Sequence, residues 1–479
     1  LGKGEEQEKE LTITRVDGNF RAVKLQPGVW TVRFRYSPLS FKLGAFASFI
    51  AAMLLVLIAG VYVWRYAYRE SAQDSAARRV AKNSFTAITL NLMTRVIEMA
   101  FAMLMARLLG PEGVGRFYTA AVLFGWFDVF TSFGLQTLLT REVARDRAQG
   151  NRYLLNTALL RVGLSAAGIP VLAGVVVVYQ LLSPNQLAPD TLMALALLYV
   201  GLLPQSLSTG LTGLFYAYEK AEYPAALTVV TVLIRIALGV PVLVLTRSIV
   251  GIAAVSIVVN TLTLAILAAL ATRLFFRPRW ESDRGLQRDM LRESFPLMIN
   301  NLLSGLFFKV DVMLLSAFKG EGMVGWYNQA YKWVDAINVV PAYFTFALFP
   351  VLSRQAAQDR EAARRSYHLA IKLLVMIALP LAVLTTFFAR ELTTVITIGD
   401  PRFQPDATVA LQLMIWSIPF GWINSVTHYV LIALGQQRKL TNAFLIGLGF
   451  NVVANLIFIP LYSFKAAAII TILSEIVEG

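Results

Sequence analysis

Charged side chains stand inside several apolar stretches of this sequence. Arg95 and Glu98 lie three apart in "NLMTRVIEMAFAMLMARLL"; Asp128, Arg161 and Arg235 follow in later stretches. Lys309 and Asp311 share another, and Lys332 and Asp335 are again three apart. An i,i+3 spacing puts both members of a pair on one helix face. A charge at mid-membrane is costly unless it faces a wet cavity or a partner. Arg presents a planar fork that suits phosphate, and Lys a mobile point charge. Arg95, Lys309, Lys332 and Arg235 are therefore expected to hold an anionic group in a central cavity. Glu98, Asp128, Asp311 and Asp335 are expected to balance that charge or take a coupling ion. The plainer reading makes Arg95–Glu98 and Lys332–Asp335 internal salt bridges. Arg161 is expected near an inner helix end, where its head can snorkel to water.

Little else in the chain points to chemistry. Cysteine is absent, which excludes disulfides and thiolate metal sites. The two histidines, His368 and His428, are far apart, and His428 reads best as a hydrogen-bonded structural residue. No phosphate-loop pattern and no paired-histidine motif occurs. No catalytic residue, metal or cofactor is expected, and the chain reads as a non-enzyme.

The elements that carry these charges are helices of a membrane protein. The sequence is 57% hydrophobic and only 15% charged, against roughly 25% charged in soluble domains. Its apolar blocks are long enough to cross a bilayer as helices. The expected class is an all-α polytopic membrane protein. One block covers 41–66. Six more cover 84–109, 115–138, 153–179, 191–217, 224–245 and 249–272. Six others cover 293–315, 324–351, 367–389, 406–434, 440–461 and 464–479. The net charge of +14 sits mostly in alternate loops. Taking 273–292 as inside, the inner loops hold 22 Arg and Lys, against six in the outer connections after residue 84. That bias sets the orientation, so the basic character needs no nucleic acid.

Residues 1–40 read as a truncated β-rich extracytoplasmic segment. "LTITRV", "FRAVKL" and "WTVRFRY" alternate apolar and polar, with "DGN" and "QPG" between them. Then come the extra span 41–66 and a basic cytoplasmic linker, 67–83. A first residue Leu and an abrupt stop at "TILSEIVEG" lead to the expectation of a fragment.

A repeat organises the rest. "LLGPEGVGRFYTA" (108–120) returns as "FKGEGMVGWYNQA" (318–330), pairing Gly110 with Gly320, Val114 with Val324, Gly115 with Gly325 and Ala120 with Ala330. Ser84–Phe85 matches Ser294–Phe295 at the same offset of 210. The chain thus divides into two six-helix lobes, 84–272 and 293–479, joined by 273–292, with the last helix shortened. Even-numbered units share an orientation, as in parallel repeats about an axis along the membrane normal.

Residues 84–479 resemble the polysaccharide-transporter branch of the multidrug/oligosaccharidyl-lipid/polysaccharide exporter superfamily. "SFTAITLNLMTRVIEMAFAMLMARLLGPEGVGRFYTA", "ESFPLMINNLLSGLFFKVDVMLLSAF", "GEGMVGWYNQAYKWVD" and "ALFPVLSR" carry the likeness. It implies two six-helix lobes around a central cavity and a flippase for undecaprenyl-diphosphate-linked sugars, moved from the inner to the outer leaflet of a bacterial plasma membrane by alternating access. It further implies a lipid-linked oligosaccharide and membrane lipids as partners, with polymerase and glycosyltransferases beside it. Related lipid II flippases carry arginines on early cavity helices, which points to Arg95 by position. An ion-coupled multidrug or cation antiporter of the same superfamily is the alternative. Residues 13–66 resemble instead the end of a glycosyltransferase-C-like membrane protein, which keeps a membrane glycosyltransferase or accessory subunit as a third reading.

Overall fold

The computed structural model describes residues 11, 13–16, 20–28, 32 and 76–479. The chain divides into two bodies, Leu1–Tyr66 and Ala67–Gly479. In the first, β1 (Ile13–Val16) and β2 (Phe20–Val23) pair antiparallel, with Ile13 opposite Val23 and Val16 opposite Phe20. Asp17, Gly18 and Asn19 separate them, residue types that favour turns. The third expected strand and the span 41–66 lie outside the described residues.

The regular structure of the second body is helical. The expected linker 67–83 is already helix from Ala76, where α1 (Ala76–Ser132) begins. At about 1.5 Å per residue, 57 residues would run about 85 Å, far beyond the hydrocarbon of a bilayer. The helix breaks instead at Gly110, with φ 69° and ψ −174°. Its counterpart Gly320 also has positive φ, 86°, between α7 (Arg284–Lys319) and α8 (Glu321–Ile337). A residue without Cβ takes that conformation at no steric cost. This is the structural purpose of the repeated turn.

In the first lobe follow α2 (Leu135–Arg145), α3 (Gly150–Leu182), α4 (Pro189–Ala217), α5 (Glu222–Thr246) and α6 (Ile249–Leu274). In the second lobe follow α9 (Val339–Gln358), α10 (Arg360–Phe387), the short α11 (Ala389–Ile396), α12 (Asp406–Met414), α13 (Ser417–Ala433) and α14 (Gln437–Glu478). The repeat persists beyond the turns. Helices α3 and α10 start at Gly150 and Arg360 and carry internal prolines at Pro170 and Pro380, all at the offset of 210.

Among the described residues, eight helical segments are long and apolar enough to cross a membrane, or nine counting the bent pair α12–α13. The number is below the twelve blocks expected after residue 84 for definite reasons. Thr94–Arg145 and Arg438–Glu478 each take in two blocks, broken at Gly110 and Ser463. Block 324–351 is divided at Asn338 into α8 and α9, and block 406–434 bends by 40° between α12 and α13. Block 115–138 is also interrupted, where Phe133 and Gly134 take positive φ before α2.

The outward faces confirm a lipid setting. Val171, Val175 and Val178 on α3 and Leu369, Leu373, Met376 and Val383 on α10 are all exposed. Such stripes are a liability in water and the fitting surface against hydrocarbon. Inside, Tyr327, Trp422, Leu123 and Leu202 belong to one apolar core that runs through both lobes. The lobes meet chiefly along α1 and α8.

Candidate functional site

Helix α8 sets the site by its periodicity. Tyr327, Tyr331 and Asp335 are spaced i, i+4, i+8 and share one face. That face meets α7, which carries Lys309 and Asp311. The Asp311 carboxylate is buried, yet fully occupied: Oδ2 accepts from Tyr327 Oη at 2.8 Å and Tyr331 Oη at 2.9 Å, and Oδ1 from the Val312 amide at 2.8 Å. Buried carboxylates survive only with such donors, since losing one costs about 1–3 kcal/mol. Asp311 therefore anchors two tyrosine rings.

Those rings hold Lys309. Its Nζ lies 3.7 Å from the Tyr331 ring centroid, a cation–π arrangement worth about 2 kcal/mol when desolvated. It also donates to the Tyr118 hydroxyl at 2.9 Å, and Asp335 Oδ2 stands 3.8 Å away. Tyr118 belongs to α1, so this lysine ties the two lobes together. Trp126 of α1 adds a second tie, donating from Nε1 to Gly305 O at 3.3 Å.

Lys309, Asp335 and Tyr331 line a cavity of about 340 Å³ in the second lobe. Asn338, Asn451, Ser474 and Glu475 form its polar far side. Asn424 Nδ2 donates to Glu475 Oε2 at 2.9 Å, Asn451 Nδ2 to Ser474 Oγ at 2.9 Å, and His428 Nε2 stands 2.9 Å from Glu478 Oε1.

The structure gathers part of the expected set. Lys332 lies in the electrostatic field of Asp335, Lys309 and, more weakly, Glu98 of α1. Asp335 takes Lys309 as its ion-pair partner, not its i,i+3 neighbour Lys332. Arg95 is exposed one turn from Glu98. Asp128 and Arg235 are placed apart from the cluster: Asp128 faces Arg161 and Gln205 inside the first lobe, and the Nε of Arg235 on α5 is buried without a partner. Arg161 does not snorkel. It is wholly buried and donates from Nη1 to Ser206 O and Oγ at 2.8 and 2.9 Å. Tyr118, Tyr327 and Tyr331 escaped the sequence reading because aromatics at helical spacing look like ordinary core. Asn451 and Asn455, four apart in an apolar helix, were the legible hint of a polar far side.

Two ends flank this site. At the turn end, Gly115 lies against the Glu321 carbonyl and Gly325 against the Pro111 carbonyl, so a Cβ at either would overlap backbone. Arg116 Nε stands 3.7 Å from Glu321 Oε2, whose other oxygen accepts from Thr191 Oγ1 at 2.6 Å. At the linker end, Arg141 of α2 pairs with Glu293 of α7. Asp283 caps α7 by accepting from the Leu286 amide and pairs with Arg152. The Arg152 hydrogen bond, with that amide, holds the Asp283 carboxyl below the ordinary carboxylate range.

The sequence and the fold match known proteins. Residues 80–356 match the polysaccharide biosynthesis protein family, and residues 296–457 match the MatE family. An uncharacterized membrane protein, MJ1068 of Methanocaldococcus jannaschii, is 22% identical over 384 residues, 75% of this chain and 74% of that protein. An inward-facing multidrug resistance MATE family transporter of the MOP superfamily superposes with a TM-score of 0.68 at 17% identity, covering 80% of this chain and 92% of its own. The lipid II flippase MurJ in an inward closed conformation gives 0.66 at 14% identity, covering 82% and 86%. A MOP superfamily transporter from Pyrococcus furiosus, whose binding pocket is described as of reverse polarity, gives 0.55 at 17% identity, covering 82% and 94%. The chain is a multi-pass membrane protein that carries the fold of MOP superfamily transporters, and it belongs to the polysaccharide biosynthesis protein family.

Proposed function

We propose that this chain flips a polyprenyl-diphosphate-linked oligosaccharide from the inner to the outer leaflet for surface polysaccharide synthesis. The observation that carries the reading is Lys309: a cation at the lobe boundary, lining a cavity and held by the hydroxyl of the opposite lobe's Tyr118. A diphosphate needs charge compensation in a low-dielectric interior. Lys309, with Lys332 beside it, supplies that compensation, joined by Arg95 of α1 and Arg235 of α5. The lipid tail stays in the bilayer, and sugar and diphosphate enter between the lobes. The turn end is the outer end in this reading, and the linker 273–292 is cytoplasmic. Lobe rocking opens the two ends in turn.

Acidic groups near the cavity, Asp335 and Glu475, favour a second reading as an ion-coupled multidrug or cation antiporter. In the flippase reading Glu98, Asp128, Asp311 and Asp335 balance charge or carry the coupling ion. A membrane glycosyltransferase or accessory subunit rests on the N-terminal resemblance alone. Purified chain in vesicles separates the three. Movement of a fluorescent polyprenyl-diphosphate sugar to the outer face supports flipping. Export of small organic cations without lipid movement supports the antiporter, and sugar transfer to an acceptor supports the enzyme.

A further inference from the structure

The first lobe has a cavity of its own, about 200 Å³, between α3, α4 and α6. Leu154, Leu155, Ala158, Leu207, Leu211 and Leu264 form its apolar walls. Pro278 of the inter-lobe linker borders it. Asn151 fastens that linker segment, with Nδ2 donating to Arg279 O at 3.1 Å and Oδ1 accepting from the Arg279 amide at 2.9 Å.

Arg161 also lines this pocket. Its Nη1 is spent on Ser206, but Nε and Nη2 are buried without any hydrogen-bond partner. These two nitrogens share one edge of the guanidinium. Their N–H bonds run parallel, the geometry that takes two oxygens of a carboxylate or phosphate. Gly210 stands beside that edge, and a Cβ there would lie 3.5 Å from Nε, so glycine leaves the space open. Asp128 is the opposite charge in the field of Arg161; Gln205 engages its carboxylate, its Oδ1 is itself buried without a partner, and it makes no hydrogen bond to the free edge. A buried, unsatisfied donor pair is expensive. Thr157 Oγ1, also buried without a partner, adds one polar atom to the lining, and the walls beyond it are leucine and alanine.

We infer that this pocket binds an anionic amphiphile, its oxyanion head on the Nε–Nη2 edge of Arg161 and its hydrocarbon chain along the leucines of α3, α4 and α6. Occupancy sits directly beneath Pro278 and so bears on the linker that joins the lobes.

The test uses the full chain in a non-ionic detergent, with Ala158→Cys as the single thiol, since the sequence has no cysteine. Dodecanoate is the probe, and dodecanol and inorganic phosphate are the controls. Dodecanoate should slow maleimide labelling of the introduced thiol by about tenfold or more. Dodecanol and phosphate should protect far less. Adding Gly210→Leu, which fills the pocket and keeps Arg161, or Arg161→Gln, should remove protection. Equal protection by dodecanol overturns the proposal in favour of a plain apolar cleft. Equal protection by phosphate overturns the amphiphile in favour of a free oxyanion. No protection by any probe overturns it entirely.

Discussion

Lys309 on one lobe donates to the Tyr118 hydroxyl on the other across 2.9 Å. One nitrogen thus serves as a tie between lobes and as the cation of the cavity. The two duties separate by mutation. Tyr118→Phe removes the tie and keeps the charge; Lys309→Gln removes both. A hydrogen bond to a charged group is worth about 1.5–3 kcal/mol. Lys309→Gln should lower the flipping rate in vesicles about tenfold or more, with Tyr118→Phe losing clearly less. Equal losses would reduce Lys309 to a tie.

Arg95 gives a cleaner test because its side chain is exposed. Arg95→Gln should leave folded yield in detergent unchanged and depress flipping about tenfold. Arg95→Lys should rescue only partly, because the fork is lost. Flipping that stays normal in Arg95→Gln would remove Arg95 from the substrate path.

The glycines at the turn end should not tolerate a methyl group. Gly115→Ala and Gly325→Ala each place a Cβ on a carbonyl of the facing turn. Overpacking of this kind costs about 1–3 kcal/mol or more, and parting the turns relieves it. An introduced Ser183→Cys thiol, at a residue bonded to Ala317 across the lobes, should react with maleimide about tenfold faster in either variant. An unchanged rate would mean the turns absorb the methyl without opening.

Acid should loosen the linker. The Asp283 carboxyl is held below its usual range by Arg152, so the folded state binds that proton less readily than the unfolded chain does. The pair's contribution is complete above the ordinary carboxylate pKa of about 3.9 and disappears as pH falls through the lower folded value. Protease nicking within 275–287 should therefore rise below about pH 4. In Asp283→Asn, which keeps a capping side chain, nicking should be higher at neutral pH and flatter with pH. Parallel profiles would show that another group governs the linker.

Orientation is checked at the same linker. Ser282→Cys should resist an impermeant thiol reagent in intact cells and react in inverted vesicles. Labelling from outside would reverse the assignment of both ends.

Much of this was legible in the sequence, and the rest was hidden for physical reasons. Gly110 and Gly320 announced the two turns because positive φ selects for the missing Cβ. Lys309, Lys332 and Asp335 stood out because charge in an apolar helix needs a cause. Tyr118 did not, since a tyrosine that orients a lysine from 191 residues away looks like any core aromatic. Arg161 was misplaced because its distance from a helix end says nothing of what α4 lays over it. Asn451 hinted at the polar far side, but the place of Glu475 there depends on α13 and α14 folding against each other, a contact that no local pattern encodes.

The paired glycines also make one contact twice, in mirrored order. Gly115 meets Glu321, and Gly325 meets Pro111, and each of these four residues is 210 positions from its counterpart. A contact in which one residue meets a second, and the copy of the second meets the copy of the first, is the signature of a two-fold dimer interface. The cavity walls break that symmetry, with Lys309 on one side and Tyr118 on the other. The glycine contact keeps it, because neither half can enlarge there without displacing the other.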